Sequence, residues 1–161
     1  MSANQKSPLD IALGRKLKSK MKIKVKKINS VAKIPEYSRV GDAGMDIFGC
    51  EEYELMPGEK HIFGSGIAVE YPDDHLAYIY DKSGLSCKHE LITLGGVMDP
   101  NYRGEWQITI KNIGSKPYKI EKGEKICQIV FHKISQAEVE EVDQLDNTNR
   151  GDGWAGSSGR F

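Results

Sequence analysis

The sequence predicts an all-β protein with one short helix, organised as a single domain. Apolar residues alternate with polar ones, or form short runs rich in Ile, Val, Tyr and Phe. Turn signals separate these runs at intervals of about 8 to 12 residues, a spacing typical of a β-sandwich or a jelly roll. The 161 residues are enough to bury one hydrophobic core.

The first predicted strand is "MKIKVKKI", where Met21, Ile23 and Val25 alternate with lysines and indicate one solvated face. Further strands are predicted in "HIFGSGIAVEY", "LAYIYDK", "EWQITIKNI" and "KICQIVFHKI". The turn signals between them are Pro57-Gly58, Pro72-Asp73-Asp74, Gly114-Ser115 and Lys122-Gly123. "LMPGEKHIF" and "IEKGEKICQI" resemble each other and are interpreted as hairpin halves. The one internal helix is predicted in "SGLSCKHEL".

Charge and cysteine content narrow the function classes. The formal net charge is zero, which argues for neither a nucleic acid nor a membrane as partner. Cys50, Cys87 and Cys127 are odd in number and form no CxxC, so neither a disulfide framework nor a zinc site is expected. A reducing, intracellular (cytoplasmic) compartment is favoured. No apolar run approaches the roughly 20 residues of a membrane span, and no secretory signal is recognisable.

Residues 1–20 are predicted to form a basic N-terminal arm. Residues 1–27 contain nine Lys or Arg and one acid, so this end of the chain carries a net charge of +8. "SPLDIALGRKLKSK" would form a short helix with Ser7 as its cap and Pro8 in its first turn. A flexible arm, a targeting segment and a cloning remnant are the alternatives. The domain proper is predicted to begin at Met21.

Two stretches near strand ends are candidates for chemistry. In "GDAGMDIFG", Asp46 lies among small residues where a strand begins, and a simple turn aspartate is the alternative. In "DKSGLS", the N–H groups of Ser83 and Gly84 at a helix start, with the cation of Lys82, suit a phosphate. A serine N-cap beside a surface lysine is the alternative.

Two later stretches also depart from the strand-and-turn pattern. In "GGVMDPNYRGEW", a tight loop places Asp99 near Tyr102, so that a carboxylate could orient a water beside an aromatic wall that packs on a sugar. An ordinary hairpin turn is the alternative. In "GEKICQIV", Gln128 lies among apolar strand residues and must find a partner or point outward.

The C-terminal stretch "RGDGWAGSSGRF" has four glycines in twelve residues. Such a segment cannot order itself, because glycine loses the most backbone entropy on folding. A frayed terminus is the alternative, but disordered tails seldom carry a large aromatic such as Trp154. We therefore expect this segment to fold onto another surface.

Conventional catalytic signatures are missing from the sequence. There is no G-x-S-x-G elbow, P-loop or H-E-x-x-H motif. The four histidines fall at no metal-ligand spacing. Covalent nucleophilic catalysis therefore has little support.

Taken in order, five stretches resemble the five motifs of the trimeric dUTP pyrophosphatase (dUTPase) family. They are "AGMDIFG", "KSGLSCKHEL", "GGVMDPNYRGEW", "KGEKICQIVF" and "RGDGWAGSSG". The resemblance implies a jelly-roll (β-clip) homotrimer that hydrolyses dUTP to dUMP and pyrophosphate with Mg²⁺, which limits uracil in DNA and supplies dUMP for dTMP synthesis. It also implies a domain over residues 21–148 and a tail, residues 149–161, that closes over a neighbouring subunit's site.

The resemblance also implies roles for individual residues. Asp99 would be the general base that orients the attacking water, and Tyr102 would stack under the deoxyribose and exclude a 2′-hydroxyl. Asp46 would lie close to the water shell of Mg²⁺, which the triphosphate itself would hold. The hairpin from Thr93 to Asp99 would read uracil. The further substrate-binding residues would be Lys82, Ser83, Gly84, Gly96, Val97, Met98, Gln107 and Gln128 in the domain, with Arg150, Trp154, Gly156, Ser157 and Ser158 in the tail. Arg150 would bind the γ-phosphate and Trp154 would stack on uracil.

The sequence departs from the family pattern in the second and fifth motifs. Lys82 stands where arginine is usual and Asp81 where proline is common, so the planar guanidinium fork is lost. Trp154 precedes Ala155 where a glycine and then an aromatic are usual. Two alternatives stay open. One is a catalytically weak nucleotide-binding regulator. The other is a dCTP deaminase, which would need a glutamate on the strand where "WQITIKN" has Thr109.

Overall fold

The structure is a computed structural model that describes residues 21–154. This part of the chain forms eleven strands and one helix. They are β1 (Lys24–Lys27), β2 (Met45–Phe48), β3 (Tyr53–Leu55), β4 (Lys60–Gly64), β5 (Ile67–Glu70), β6 (His75–Asp81), α1 (Ser83–His89), β7 (Leu91–Leu94), β8 (Val97–Met98), β9 (Gln107–Asn112), β10 (Tyr118–Ile120) and β11 (Lys125–Lys133). The predicted all-β architecture with one short helix is confirmed. The predicted arm, residues 1–20, lies outside the described residues.

The strands form four antiparallel sheets around one core. The orders are β2-β11-β6-β8, β4-β9-β7, β1-β5 and β10-β3. In β9, Ile108 and Ile110 are buried while the intervening Thr109 is only half-buried, which is the period of two that the sequence shows. The largest fully buried side chains are Trp106 and Phe63, and they belong to a core whose removal from water is the main driving force for folding. Within residues 21–154, no helix has the length and apolar character needed to cross a bilayer.

The two similar turn sequences have similar structures, but the predicted hairpins are wrong. Strand β3 pairs with β10, and β4 pairs with β9, so each turn passes the chain from one sheet to another. In the first turn Tyr53 donates its hydroxyl to Glu59 at 2.5 Å, and in the second Tyr118 donates to Glu124 at 2.8 Å. The strands preceding the two turns are paired with each other, a long-range contact that local patterns do not encode.

Strand β11 brings distant motifs side by side. It pairs with β2 along one edge and with β6 along the other. This register places Gln128 opposite Asp46 on one side and opposite Tyr80 on the other. Gly44 is needed beside this contact, because a Cβ there would lie 2.0 Å from Oε1 of Gln128.

The chain beyond β11 has little contact with the sheets. Every residue from 135 to 152 is exposed. The large apolar side chains Val139, Leu145 and Trp154 are 91%, 82% and 85% exposed. Such a segment buries too little surface to be stabilised by its own subunit.

Candidate functional site

A shallow cavity of about 270 Å³ lies where β8 ends and β9 begins. Its lining residues are Val97, Met98, Asp99, Tyr102, Glu105 and Gln107. Five of these were predicted from the sequence as site residues. The fold therefore assembles the carboxylate, the aromatic ring and the amide of the third motif around one concave surface, close in volume to the lower limit of ligand pockets.

Asp99 follows β8 directly and is exposed at the cavity. Its carbonyl accepts the N–H of Tyr102 at 3.1 Å, which closes the Pro100-Asn101 turn. Beneath it, the buried Tyr71 hydroxyl donates to the Met98 carbonyl and accepts the Ala77 N–H at 3.3 Å. Burial, together with the nearby charge of Asp99, raises the pKa of Tyr71, so this hydroxyl stays a donor. The sequence did not predict Tyr71 as a site residue, because its local pattern indicates only the end of a strand.

The ring of Tyr102 is held flat against the loop. Its hydroxyl donates to the Glu105 carbonyl at 3.1 Å. Gly104 lies under the ring, where a Cβ would approach the hydroxyl to 2.3 Å. Glu105 was also missed, and its carboxylate accepts the Gly66 N–H at 2.7 Å, which fixes the loop to the β4–β5 bend. The aromatic wall therefore has a defined orientation.

The segment from Thr93 to Asp99 is not a hairpin, in contrast to the prediction. Strand β7 pairs with β9 in one sheet, and β8 pairs with β6 in another. Between them Gly95 and Gly96 have φ values of +88° and +145°, which favour glycine. The Gly96 carbonyl accepts the Ile79 N–H at 2.8 Å. The segment thus bridges two sheets and leaves Val97 exposed beside the cavity.

The start of α1 holds the three residues predicted to bind phosphate. Lys82 occupies the N-cap position and makes no side-chain cap, so the alternative of a serine N-cap is wrong. Leu85 and Ser86 donate their N–H groups to the Lys82 carbonyl at 2.9 Å. Ser83 and Gly84 precede them and are exposed, so their N–H groups face outward at the helix start.

Asp46 lies inside β2 and is 2% exposed, so it is not a turn aspartate. Its carboxylate accepts hydrogen bonds from Lys82 Nζ at 2.6 Å, Lys125 Nζ at 2.8 Å and Ser38 Oγ at 2.6 Å. Burial alone would raise the pKa of Asp46, but the hydrogen bonds from Lys125, Lys82 and Ser38 outweigh it and lower the pKa. Two predicted site residues, Asp46 and Lys82, therefore form an ion pair with each other.

This cluster predicts an acid-dependent loss of stability. The folded pKa of Asp46 is lowered, so its contribution is complete above the carboxyl's ordinary pKa and is lost as pH falls through the folded value. The melting temperature of Asp46→Asn should therefore lie below that of the wild type at neutral pH, and the gap should shrink below about pH 4. Asp73→Asn, in an exposed turn, should show no gap. An Asp46→Asn gap that stays constant down to pH 2 would contradict the linkage.

Gln128 has a hydrogen-bond partner within the sheet, whereas the described tail residues lie away from the cavity. Gln128 Nε2 donates to the Asp81 carbonyl at 2.9 Å, so the predicted need for a partner is confirmed. Arg150 and Trp154 do not line the cavity, and Arg150 Nε bonds locally to the Gly153 carbonyl at 2.9 Å. The predicted tail residues Gly156, Ser157 and Ser158 lie outside the described residues.

The donor groups of the described residues were not found to match a metal-ligand set. Within residues 21–154, no group of three His, Cys, Asp or Glu is placed to hold a metal ion. The oxygens of Asp46 already accept from two ammonium groups and a hydroxyl, so they do not fit as direct ligands of Mg²⁺.

Comparison with known proteins gives one family. The dUTPase family model matches residues 30–159. The deoxyuridine 5′-triphosphate nucleotidohydrolase of Gloeothece citriformis is 40% identical over 141 residues, which cover 86% of this chain and 97% of that protein. The protein of the same name from Clostridium novyi is 43% identical and covers 86% of this chain, with 99% of its own length matched.

Two solved structures that are similar to this chain are also dUTPases. A dUTPase from Staphylococcus bacteriophage 80alpha, solved with dUpNHpp, is 30% identical, with a TM-score of 0.81 and coverage of 86% of this chain and 98% of that one. A variant dUTPase from phage phi11 of S. aureus, described as revealing coordination of a structural Mg(II) ion, is 26% identical, with a TM-score of 0.74 and coverage of 78% and 99%. Since the family model and relatives above 30% identity both span most of its length, this chain belongs to the dUTPase family.

Proposed function

We propose that this protein hydrolyses dUTP to dUMP and pyrophosphate. The observation that carries the proposal is the cavity in which Asp99 and Tyr102 lie beside Val97, Met98 and Gln107, in a chain whose relatives are named dUTP nucleotidohydrolases. Hydrolysis of dUTP would limit uracil in DNA and supply dUMP for dTMP synthesis. The free thiols of Cys50, Cys87 and Cys127 support a reducing intracellular compartment for it.

Asp99 is the general base in this proposal. A carboxylate exposed at the cavity can accept a proton from a water that attacks the α-phosphate, provided that it lies within about 3 Å of that water. The Tyr71 hydroxyl fixes the backbone immediately before Asp99. A buried group therefore supports the base in addition to the turn that the Asp99 carbonyl closes.

Tyr102 selects the sugar. Its ring lies flat against Gly104, and its hydroxyl is bonded to the Glu105 carbonyl. A deoxyribose can stack on this surface, whereas a 2′-hydroxyl would press against a ring that its hydrogen bond to Glu105 holds in place. Backbone groups of the Thr93–Asp99 segment, near Gly96 and Val97, read the uracil edge, and Gln107 lines the same cavity.

The triphosphate lies at the start of α1. The N–H groups of Ser83 and Gly84 donate to it, and Lys82 adds a positive charge while it stays paired with Asp46. Mg²⁺ would be held mainly by the triphosphate itself, since this ion retains waters and is usually bound through phosphate oxygens. Bound in this way, Mg²⁺ would neutralise phosphate charge. The Asp46 carboxylate would act on it only indirectly, by holding Lys82 in place.

We further propose that the protein assembles as a homotrimer with sites shared between subunits. The exposed segment of residues 135–154 supports this, because its apolar side chains are not covered within one chain. A groove of about 980 Å³, lined by apolar residues that include Ile23, Ile34 and Phe131, lies between β1, the loop before β2 and β11. Within the described residues β1 pairs only with β5, so its other edge is free to accept a strand.

Charge complements this surface. The segment of residues 138–145 contains three apolar residues, four acids and no base. Lys22 and Lys26 lie exposed beside and within β1. The acidic segment of a second copy therefore fits the basic edge of β1, and it would carry the second copy's Arg150 and Trp154 onward to the cavity of another subunit.

The experiment that tests the function is pyrophosphate release from dUTP with Mg²⁺, measured beside UTP, dCTP and dTTP. Rapid release from dUTP alone is expected. Release of ammonia from dCTP would instead indicate a deaminase, but β9 presents Thr109 and no acid on the strand where that reaction needs one. Binding of dUTP without release of pyrophosphate would indicate a nucleotide-binding regulator and would contradict the proposal.

Trp154→Ala tests whether this aromatic stacks on the base although it stands one residue early. Stacking of a base on an aromatic is worth about 1 to 3 kcal/mol, so KM for dUTP should rise about tenfold. The melting temperature should not change, because Trp154 is 85% exposed. Trp154→Phe should restore most of the affinity. Unchanged kinetics in Trp154→Ala would exclude the stacking.

A further inference from the structure

Asp81 joins three parts of the candidate site. It is the last residue of β6 and immediately precedes Lys82 at the start of α1. Its Oδ1 accepts the Thr93 N–H at 2.6 Å and the Thr93 hydroxyl at 2.7 Å. Its own carbonyl accepts Gln128 Nε2 at 2.9 Å. One residue thus contacts the β7 strand and the β11 strand while it leads into the phosphate-binding turn.

The bond to Thr93 replaces a missing strand contact. Strand β7 is an edge strand, paired only with β9 among the described residues. The edge N–H of Thr93 would otherwise face solvent, and the Asp81 carboxylate accepts it together with the hydroxyl. Hydrogen bonds to a charged acceptor are stronger than neutral ones.

The segment that reads the base is therefore tied to β6 at both ends. Near its C-terminal end, the Gly96 carbonyl accepts the Ile79 N–H, and Met98 and Val97 pair with Ala77 and Tyr78. At its N-terminal end, the tie is the Asp81 side chain. Removing that side chain would break only the tie to β6 at the N-terminal end, which stays paired with β9, and would relax the distance between Thr93 and the start of α1.

We propose that Asp81 is a positioning residue that sets the spacing between the phosphate-binding turn, Lys82 to Gly84, and the base-reading segment, Thr93 to Asp99. The inference rests on the proposed function, since both parts must hold the same nucleotide. Correct spacing lets a nucleotide engage both parts at once, and its affinity then exceeds that of either half.

The test compares one whole ligand with its two halves. Affinities for dUpNHpp, deoxyuridine and inorganic pyrophosphate are measured by calorimetry on the full-length wild type, Asp81→Ala and Asp81→Asn. Asp81→Ala should lower the affinity for dUpNHpp about tenfold or more. The affinities for deoxyuridine and for pyrophosphate should each stay within about twofold, because only the coupling between the two parts is lost. Asp81→Asn keeps an acceptor oxygen for Thr93 and should restore most of the affinity.

A matched control is Glu59→Ala. Glu59 likewise accepts one backbone N–H, from Met56 at 2.9 Å, and one hydroxyl, from Tyr53 at 2.5 Å. It directly precedes the first residue of β4, whereas the residue of β4 that pairs with Gln107 at the cavity is Gly64, at the other end of the strand. Its loss should lower the melting temperature without changing nucleotide affinity. Thr93→Val should lower the affinity for dUpNHpp as Asp81→Ala does. The double variant should lose no more affinity than the single variant with the larger loss, because both changes remove the same contact.

Two outcomes would overturn the inference. One is unchanged dUpNHpp affinity in Asp81→Ala. The other is an equal loss of affinity for all three ligands, which would make Asp81 a residue of general stability. Pyrophosphate release from dUTP by the wild type is measured in parallel, so a failure of the proposed function is recognised separately from a failure of the Asp81 inference.

Discussion

Asp99→Asn is expected to lower kcat for dUTP by about 10²- to 10⁴-fold, the usual contribution of a positioned general base. The amide is nearly the same size as the carboxylate, and the Asp99 carbonyl that closes the turn is unaffected. Substrate affinity and the melting temperature should therefore stay close to those of the wild type. The loss should be confined to the step in which the attacking water is deprotonated.

Single-turnover pyrophosphate release, with dUpNHpp binding measured alongside, separates chemistry from affinity. Asp73→Asn is the matched control, because Asp73 is an exposed aspartate in the turn between β5 and β6. It should keep full activity. If Asp99→Asn kept wild-type kcat, or lost activity only together with dUpNHpp binding, Asp99 would not be the base.

Deletion of residues 149–161 is expected to abolish turnover while the assembly stays intact. The deletion removes Arg150, Trp154 and the serines predicted to surround the phosphates. It retains residues 138–145, whose apolar and acidic side chains are proposed to hold the subunits together. The expected loss exceeds that of any single tail substitution, because the charge-assisted phosphate contacts and the stacking ring are removed together.

Light scattering measures the assembly, and pyrophosphate release measures the turnover. Removal of residues 1–20 is the control at the other terminus and should leave activity unchanged. Full activity after deletion of the tail would exclude its role. Dissociation into single chains would show instead that residues 149–161 hold the assembly.

Mixing two inactive variants tests whether sites are shared. Chains with Asp99→Asn keep a complete tail, and chains that lack residues 149–161 keep Asp99. If a tail closes over the cavity of another subunit, reassembly of the mixture should restore part of the activity, since some cavities with Asp99 receive an intact tail. Tails that served their own subunit would restore none.

The sequence was sufficient for the cavity of the third motif and for β1, β6, β9 and β11, whereas the predicted stretch "HIFGSGIAVEY" forms two strands, β4 and β5, in different sheets. Alternation in "MKIKVKKI" and "EWQITIKNI" predicts β1 and β9, because side chains on successive strand residues point to opposite faces. The residues that line the cavity from Val97 to Gln107 lie within one short stretch. Local sequence therefore fixes both their identity and their proximity.

Contacts between distant strands required the tertiary structure. Asp46 meets Lys125 because β11 pairs with β2, and it meets Lys82 because β11 also pairs with β6, the strand that leads to Lys82. The same register gives Gln128 its partner at the Asp81 carbonyl. In each case the residues are dozens of positions apart, and a period of two does not specify which strand lies beside which.

The sequence alone determined the fold class, the family motifs and the residue types of the site, since these depend on local periodicity and short-range spacing. Only the tertiary structure decided that Asp46 and Lys82 are ion-paired, that Tyr71 supports the backbone before Asp99, and that β7 and β8 belong to different sheets. The physical reason is strand register. A shift of one residue turns every side chain to the opposite face, and that choice is made by packing across the core, not by neighbours in the chain.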